Sequence, residues 1–296
     1  MIELINVRKT FYNKAIFENI SLNIPNATIF GLAGANGSGK STLLRLMSGI
    51  YHADGGFIKI DGQAVYENVV VKQQIRLVSE APYFFGQATM AEMRKFYQVH
   101  YPEFDDRIYR RMIDIFQLNE KKRLHRFSLG IKKQAALALA LSCNSKYLLL
   151  DETLSSLDTI VRHTLLTILK KNLEETGQTI VVASDNLSEL QENCDSLGLI
   201  KDGQIIISGS QAELASDILK LQLSFKKDLG LNDFDDIEVL DFKRCGHVIT
   251  LLVRGDINKT KKRLKNKDPL YIDVLPATLK DTLIYEMETR DNEKEK

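Results

Sequence analysis

Between an apolar segment and an amphipathic one, the chain contains Gly34-Ala35-Asn36-Gly37-Ser38-Gly39-Lys40-Ser41, with Thr42 next. Residues 29–33 predict a short buried strand, and residues 41–49 carry apolar side chains at helical spacing. Glycines in such a strand–turn–helix let backbone amides turn toward phosphate oxygens, at the positive end of the helix. The pattern is that of a P-loop, so it predicts a nucleotide site. A Gly-rich loop with an unrelated lysine is the alternative, and the flanking strand and helix disfavour it.

Within this loop we expect Lys40 to reach the β- and γ-phosphates and Ser41 to hold Mg²⁺. The nucleotide-binding residues predicted from the loop are Gly34, Asn36, Gly37, Ser38, Gly39, Lys40, Ser41 and Thr42.

A second part of the site follows the apolar residues 147–150, where Asp151 and Glu152 stand next to each other. Asp151, at the end of a buried strand, is expected in the Mg²⁺ shell. Glu152 is expected to orient or deprotonate the attacking water. A plain turn or helix cap is the alternative for such a pair, and the presence of a P-loop disfavours it. Residues 179–184 repeat the pattern and end at Asp185.

Composition narrows the class of protein. The 296 residues are 44% hydrophobic and 27% charged, and 40 basic against 39 acidic side chains leave +1, so no global charge points to nucleic acid. No apolar run approaches the roughly 18 residues of a membrane span, and the first residues lack the layout of a signal peptide. Cys143, Cys194 and Cys245 are widely spaced and are interpreted as reduced, buried thiols. These features predict a soluble, cytoplasmic α/β protein.

The chain is expected to form two domains, residues 1–215 and 216–296. The first begins with antiparallel strands over residues 1–30 and has a helical insertion at about 85–140, and a strong helix is predicted over 132–143. The second is a small α+β domain. Its predicted strands are 221–225, 236–242 and 247–254, and its predicted helices are 257–264 and 278–288.

Upstream of the acidic pair lies Phe127-Ser128-Leu129-Gly130-Ile131-Lys132-Lys133-Gln134. This segment resembles the signature loop of ABC-type ATPases. Ser155-Ser156-Leu157-Asp158 resembles the D-loop of that family, and Lys201-Asp202-Gly203 with Gly209 resembles its closing hairpin. The order and spacing cover residues 1–215. The chain is therefore similar to ABC ATPases, a resemblance that implies an α/β P-loop NTPase fold with an antiparallel β subdomain and a helical subdomain.

The resemblance also implies a mechanism. Members form a head-to-tail dimer that encloses two ATP molecules with Mg²⁺, so Ser128 and Gly130 are expected to bind the nucleotide of a second ATPase subunit. Integral membrane transporter subunits are expected to dock on the helical insertion, which places the chain at the inner face of the membrane. Phe11 fits the position whose aromatic ring stacks on adenine, although a core aromatic is the alternative there.

The subgroup that the chain resembles is a bacterial exporter type. Residues 101–105 and 279–283 are similar to Gram-positive exporters of antimicrobial or phenol-soluble-modulin peptides. Whether the dimer is a homodimer or a heterodimer stays open, and no nucleic-acid partner is expected.

Four positions depart from the family pattern: Glu80 replaces a glutamine, Leu129 a glycine, Thr153 a proline and Asp185 a histidine. Glu80 is still expected to bind Mg²⁺, which prefers carboxylate oxygen. Asp185 is expected near the γ-phosphate, where two unit charges about 4 Å apart repel by roughly 4 kcal/mol at an effective dielectric near 20. We therefore expect weak ATP turnover; the alternative is a largely non-hydrolysing gating subunit, the degenerate half of a heterodimer.

Two sets of basic residues carry weaker signals. Residues 259–267 contain six lysines and arginines, interpreted as a solvated helix face or as a contact with an anionic membrane leaflet. The arginines at 76, 94, 107, 110 and 111 are expected to form surface pairs with nearby acids. For the C-terminal domain, dimer support or regulation is expected from its position alone.

Overall fold

The computed structural model describes residues 1–155, 157–216, 218–227 and 229–275. Two compact units divide the chain, Met1–Ser208 and Gly209–Lys296, which places the division N-terminal to the boundary predicted at residue 215. The predicted helix over 278–288 and the segment 279–283 lie outside the described residues.

The described strands share an alternating or continuous apolar pattern. They are β1 (Ile2–Phe11), β2 (Lys14–Ile24), β3 (Ile29–Ala33), β4 (Gly55–Ile60), β5 (Gln63–Ala64), β6 (Ile75–Val78), β7 (Tyr147–Asp151), β8 (Thr179–Ser184), β9 (Ser196–Lys201), β10 (Gln204–Ser210), β11 (Ile218–Phe225), β12 (Val239–Cys245), β13 (Val248–Arg254) and β14 (Pro269–Leu275).

The described α-helices are mostly short, and several begin at a polar capping residue. They are α1 (Lys40–Met47), α2 (Val69–Gln73), α3 (Met90–His100), α4 (Asp106–Ile115), α5 (Leu129–Ser142), α6 (Thr159–Thr176), α7 (Leu187–Asn193), α8 (Gln211–Ser216) and α9 (Ile257–Lys265). Two 3₁₀ turns lie at Leu124–Arg126 and Leu231–Phe234.

The central sheet of the first unit has the order β10-β9-β3-β8-β7-β6. Parallel pairing joins β9, β3, β8, β7 and β6, so the carboxyl ends of these strands meet at one edge. Every residue of β3, β7 and β8 is buried, as expected for parallel strands covered on both faces. The P-loop, the acidic pair and Asp185 each follow one of these strands, and the topology therefore brings them to the same edge.

The antiparallel sheet of the same unit has the order β2-β1-β4-β5, which confirms the strands predicted over residues 1–30. The core beneath it contains side chains from both sheets and from α1, among them Phe17, Phe30, Leu43, Leu44 and Leu149. Packing against one shared core fixes α1, and with it the P-loop, between the two sheets.

The helical insertion contains α3, α4 and α5. The helix predicted over 132–143 begins earlier, at Leu129, because the Ser128 hydroxyl accepts a hydrogen bond from the Ile131 N–H and caps it. Arg94 and Arg107 pair with Asp106 and Asp105, as predicted for surface arginines.

Arg76 departs from that prediction, because its side chain is buried beneath the helical insertion rather than paired at the surface. Its guanidinium carbon lies 3.2 Å from the centre of the Tyr101 ring, and its N–H groups donate to backbone carbonyls of Gln73 and Ile75. Stacking and carbonyl acceptors replace the expected carboxylate partner.

The second unit contains a sheet of order β12-β13-β11-β14 with its own core, to which α9 contributes Leu264. The three predicted strands are confirmed in shifted bounds, as β11, β12 and β13, but β14 was missed, because Pro269 and Asp273 obscure its alternation. Cys143 and Cys194 are buried as predicted; Cys245 is exposed, where β12 turns into β13, so that prediction was wrong.

Candidate functional site

The P-loop connects β3 to α1 through backbone that only glycine adopts easily. Gly37 and Gly39 have φ of 81° and 106°. A Cβ on Gly34 would lie 2.6 Å from the Ile200 carbonyl oxygen, and one on Gly39 would lie 2.6 Å from the Phe17 ring. A larger residue would therefore strain the backbone at Gly37, collide with its surroundings at Gly34, and do both at Gly39.

Lys40 is the first residue of α1 and is only 5% exposed. Its ammonium donates to the carbonyl oxygen of Gly34 at 2.7 Å and to that of Ala35 at 3.2 Å, and it pairs with the Glu152 carboxylate at 3.0 Å. The loop thus holds one buried cation at the start of the helix, beside the acid that was predicted to act on water.

Ser41 and Asp151 are brought together across the sheet edge, where the Ser41 hydroxyl donates to the Asp151 carboxylate at 2.8 Å. Burial raises the pKa of Asp151, and the hydrogen bond from Ser41 opposes that rise. A hydroxyl and a carboxylate are hard oxygen ligands of the kind that Mg²⁺ prefers. The donor set therefore fits the predicted metal.

Glu152 occupies a strained turn directly after β7. Its φ is +46°, a left-handed conformation that costs a non-glycine residue about 1–3 kcal/mol. The turn is held because the Glu152 N–H donates to the Ala183 carbonyl at 3.1 Å, and its own carbonyl accepts from the Lys133 ammonium at 2.8 Å. Strain maintained by contacts on both sides is characteristic of a functional position.

A cavity of about 360 Å³ opens at this edge. It brings Glu80, which follows β6, together with the P-loop and Glu152. Its lining residues are Ile16, Asn36, Gly37, Gly39, Lys40, Ser41, Thr42, Glu80 and Glu152. A cavity lined by a buried cation, glycines and hydroxyls suits a polyphosphate with its metal ion.

Asp185 and Phe11 lie outside that lining, as do Gly34, Ser38 and Asp151. Asp185 is exposed and accepts a hydrogen bond from the Asn36 amide at 3.3 Å, so it contacts the rim of the P-loop. Phe11 is partly buried at the end of β1, where its ring meets Tyr51 edge-on with centroids 5.3 Å apart. Stacking of Phe11 on adenine stays a prediction.

Ser128 and Gly130 do not line the cavity either. Ser128 is exposed and caps α5, and the neighbouring Leu129 is 53% exposed. In the D-loop segment Asp158 caps α6, while Ser156 lies outside the described residues. The signature turn is therefore exposed and lies outside the nucleotide cavity of its own chain.

Lys133 is the residue that sequence reasoning missed. It is 3% exposed, and burial lowers its pKa, against the opposing effect of Glu80, Glu152 and Asp151. The available signal for Lys133 was a lysine on the otherwise Ala- and Leu-rich face of α5.

Thr153, in place of the usual proline, is buried, and its hydroxyl donates to the Asp151 carbonyl at 3.2 Å.

Comparison with known proteins agrees with this geometry. A family model described as ABC transporter matches residues 17–155, which include the P-loop and the acidic pair. The methionine import ATP-binding protein MetN of Legionella pneumophila (strain Paris) is 30% identical over 249 residues, covering 76% of this chain and 71% of that protein. The chain belongs to the ABC transporter family. It is an ATP-binding subunit with the ABC-type ATPase fold, as the signature residues predicted.

Further relatives match most of this chain and support its membership of the ABC transporter family. The ABC transporter ATP-binding protein YtrB of Bacillus subtilis (strain 168) is 29% identical over 285 residues, or 96% of this chain and 97% of YtrB. A solved structure of an ATP-binding subunit of an ABC transporter covers 73% of this chain and 92% of its own, with TM-score 0.67 and 20% identity. A dimeric ATP-binding cassette, MJ0796 bound to ADP and Pi, matches with TM-score 0.64 and 21% identity over 71% of this chain and 98% of its own. The predicted fold is confirmed.

Proposed function

We propose that this ABC subunit binds MgATP in the 360 Å³ cavity, closes onto a second ATPase subunit and thereby drives transport through separate membrane subunits. One observation carries the proposal: Lys40, the Ser41–Asp151 pair and Glu152 converge on a single glycine-lined cavity. Lys40 would bind the phosphates, and Glu152 would orient the attacking water. The residues that would hold Mg²⁺ are Ser41, Asp151 and Glu80, with phosphate oxygens and water completing its shell.

Dimer formation is supported by the exposure of the signature turn. Ser128 lies at an exposed helix N-terminus, whose N–H groups favour an anion. We propose that Ser128 and Gly130 bind the γ-phosphate of ATP held by the other subunit, in a homodimer or a heterodimer. In the dimer Phe11 would stack on adenine. The proposed domains are 1–215 for the ATPase and 216–296 for an accessory domain that supports the dimer or regulates it.

Membrane subunits are proposed to dock on the helical insertion. Apolar side chains stand exposed at its N-terminal part and just before it: Tyr83 at 85%, Phe85, Phe96 and Val99, with the Phe85 and Phe96 ring centroids 5.0 Å apart. Clustered exposed apolar residues mark interaction sites more often than single ones. No helix in the described part of the chain is long and apolar enough to cross a bilayer. The proposed location is the cytoplasmic face of the membrane, where those subunits would hold the chain.

We propose export as the direction. The lantibiotic transport ATP-binding protein SrtF of Streptococcus pyogenes is 27% identical over 230 residues, covering 77% of this chain and 99% of SrtF. The linearmycin resistance ATP-binding protein LnrL of Bacillus subtilis (strain 168) is 29% identical over 222 residues, 73% of this chain and 71% of LnrL. Antimicrobial or amphipathic peptides are the proposed cargo class. MetN, whose name states import, is the counterexample among these relatives.

The proposal also includes slow hydrolysis of ATP. The Asp185 carboxylate meets the P-loop through Asn36, where ABC proteins usually carry a histidine. A carboxylate near a γ-phosphate repels it, by roughly 4 kcal/mol at 4 Å and an effective dielectric near 20. Replacing it with a hydrogen-bond donor should therefore accelerate the reaction.

Steady-state ATP turnover of the purified chain tests this. Asp185→His is expected to hydrolyse ATP about tenfold faster than the wild type, because each 1.4 kcal/mol of barrier is tenfold in rate. Glu192→His, on the exposed face of α7, is the matched control and should leave turnover unchanged. Wild-type turnover as fast as that of Asp185→His would contradict slow hydrolysis.

Asp185 and Leu129 also favour a second candidate, a largely non-hydrolysing subunit that gates a heterodimer. Here ATP would bind without being consumed, and Ser128 would complete a more active partner site. Glu152→Gln separates the two functions, because it removes a water-activating carboxylate and keeps the shape of the side chain. Loss of turnover supports the ATPase, whereas equal turnover in wild type and Glu152→Gln supports the gating subunit.

A further inference from the structure

Lys133 lies on the buried face of α5, five residues after the signature serine. Its side chain is 3% exposed and is surrounded on the same helix by buried alanines and leucines such as Leu137. A lysine so buried costs free energy unless hydrogen bonds and neighbouring charges compensate it. The groups around Lys133 should therefore indicate why a charged side chain is buried at this position.

Among the residues that the structure describes, the ammonium donates one hydrogen bond, to the carbonyl oxygen of Glu152 at 2.8 Å, and forms no ion pair with a carboxylate. Ser155 also donates its hydroxyl to that carbonyl, at 3.3 Å. The carbonyl group of the strained Glu152 turn is thus held by two donors, neither of which lines the nucleotide cavity.

The negative charges at the cavity explain why a cation is favourable at Lys133. Glu80 and Glu152 both line the cavity, and Asp151 is buried beside them. Lys40 already pairs with Glu152, so Glu80 adds a negative charge where the family pattern has a neutral glutamine. These acids oppose the lowering of the Lys133 pKa that burial causes, with Glu80 the largest of the opposing influences.

We propose that Lys133 is a positioning residue of the nucleotide site, holding the Glu152 turn through its carbonyl oxygen and offsetting the charge of Glu80. The proposal rests on the role of Glu152 given above. It has a mechanical consequence. Five residues of α-helix span about 7.5 Å, so one rigid helix carries both the Ser128 turn offered to a second subunit and the anchor of Glu152 in its own chain. Movement of the signature turn would reach Glu152 through Lys133.

Single-turnover hydrolysis and equilibrium binding of MgATP test the positioning role on the full chain. Lys133→Gln is expected to slow hydrolysis about tenfold while the dissociation constant of ATP changes less than threefold, because it perturbs a residue that orients water. Lys133→Arg retains a cation and a donor and should recover part of the rate. Lys171→Gln removes an exposed lysine of α6 as the matched control. Equal rates for Lys133→Gln and Lys171→Gln would overturn the proposal.

The charge-offset role is tested without nucleotide, by the thermal unfolding midpoints of wild type, Glu80→Gln, Lys133→Gln and the double variant. Lys133→Gln should lower the midpoint, and in the Glu80→Gln background the drop should be at most half as large. If Lys133→Gln lowers the midpoint equally in the wild-type and Glu80→Gln backgrounds, the charge-offset role is overturned. It is also overturned if the double variant fails to fold while Glu80→Gln alone folds. This measurement needs no turnover. If wild type and Glu152→Gln hydrolyse alike, the proposed ATPase fails while Lys133 is still judged by the midpoints.

Discussion

The P-loop and the signature turn are both helix N-termini in one chain, and they differ in what surrounds them. At α1, Lys40 is nearly enclosed and contacts two carbonyl groups and Glu152. At α5, Ser128 is exposed, and its described cap is a single long hydrogen bond of 3.4 Å. One helix terminus is already organised around a cation, and the other is exposed.

The difference shows how the ATP site would be divided between two chains. An exposed helix N-terminus keeps unpaired N–H groups that an anion can satisfy. The P-loop organises its contacts within one chain, so ATP binding should need no partner. The signature turn should contribute only when another subunit brings ATP to it, and mutations at the two places should therefore have separable effects.

The largest expected effect is at the enclosed site. Lys40→Ala should weaken MgATP binding about hundredfold or more, since removing one partner of a buried charge pair costs about 3 kcal/mol. Isothermal titration of the purified chain measures this, with Lys171→Ala as a surface control. Unchanged affinity for MgATP in a folded Lys40→Ala protein would contradict the conclusion that the P-loop binds ATP within one chain.

At the exposed turn we expect an effect on association only. Ser128→Asp keeps a good capping residue but places a negative charge against the incoming γ-phosphate. In a Glu152→Gln background, where ATP would persist, sedimentation should show ATP-driven association weakened about tenfold or more. Affinity of the single chain for ATP should stay within about twofold, because the change lies outside its cavity. A large loss of that affinity would contradict the division into two half-sites.

The smallest effect concerns the packing that supports the signature helix. Asp105 caps α4, its backbone N–H donates to the Ser142 carbonyl at the end of α5, and Arg107 holds the pKa of its carboxyl down to about 2. Asp105→Ala should cost about 1 kcal/mol of unfolding free energy at pH 7.

The pH dependence of that cost follows from the lowered pKa. A folded-state pKa below the unfolded value gives stability that is present above pH 3.8 and lost as pH falls toward 2. Urea unfolding at pH 7 and pH 3 measures the change, with exposed Asp114→Ala as control. A cost that does not shrink at pH 3 would show that the cap is not electrostatic.

Sequence patterns predicted the site best where the chemistry is local. Eight consecutive residues specify the P-loop, because left-handed glycines and a lysine at the helix start act within one turn. β14 was missed because its strand character comes from pairing with β11, which Pro269 and Asp273 conceal in the local pattern. Arg76 was misplaced at the surface, because stacking on Tyr101 lies outside any local pattern.

By itself, the amino-acid sequence determined the family, the fold class and the order of nucleotide-binding segments, since these depend on short-range periodicity and backbone conformation. Only the tertiary structure decided which charges meet. Lys133 and Glu152 lie nineteen residues apart, on α5 and after β7, and their 2.8 Å contact exists because the fold brings this helix beside the end of that strand. The reason is physical: burial and electrostatic interactions depend on distance in space, which sequence separation does not encode.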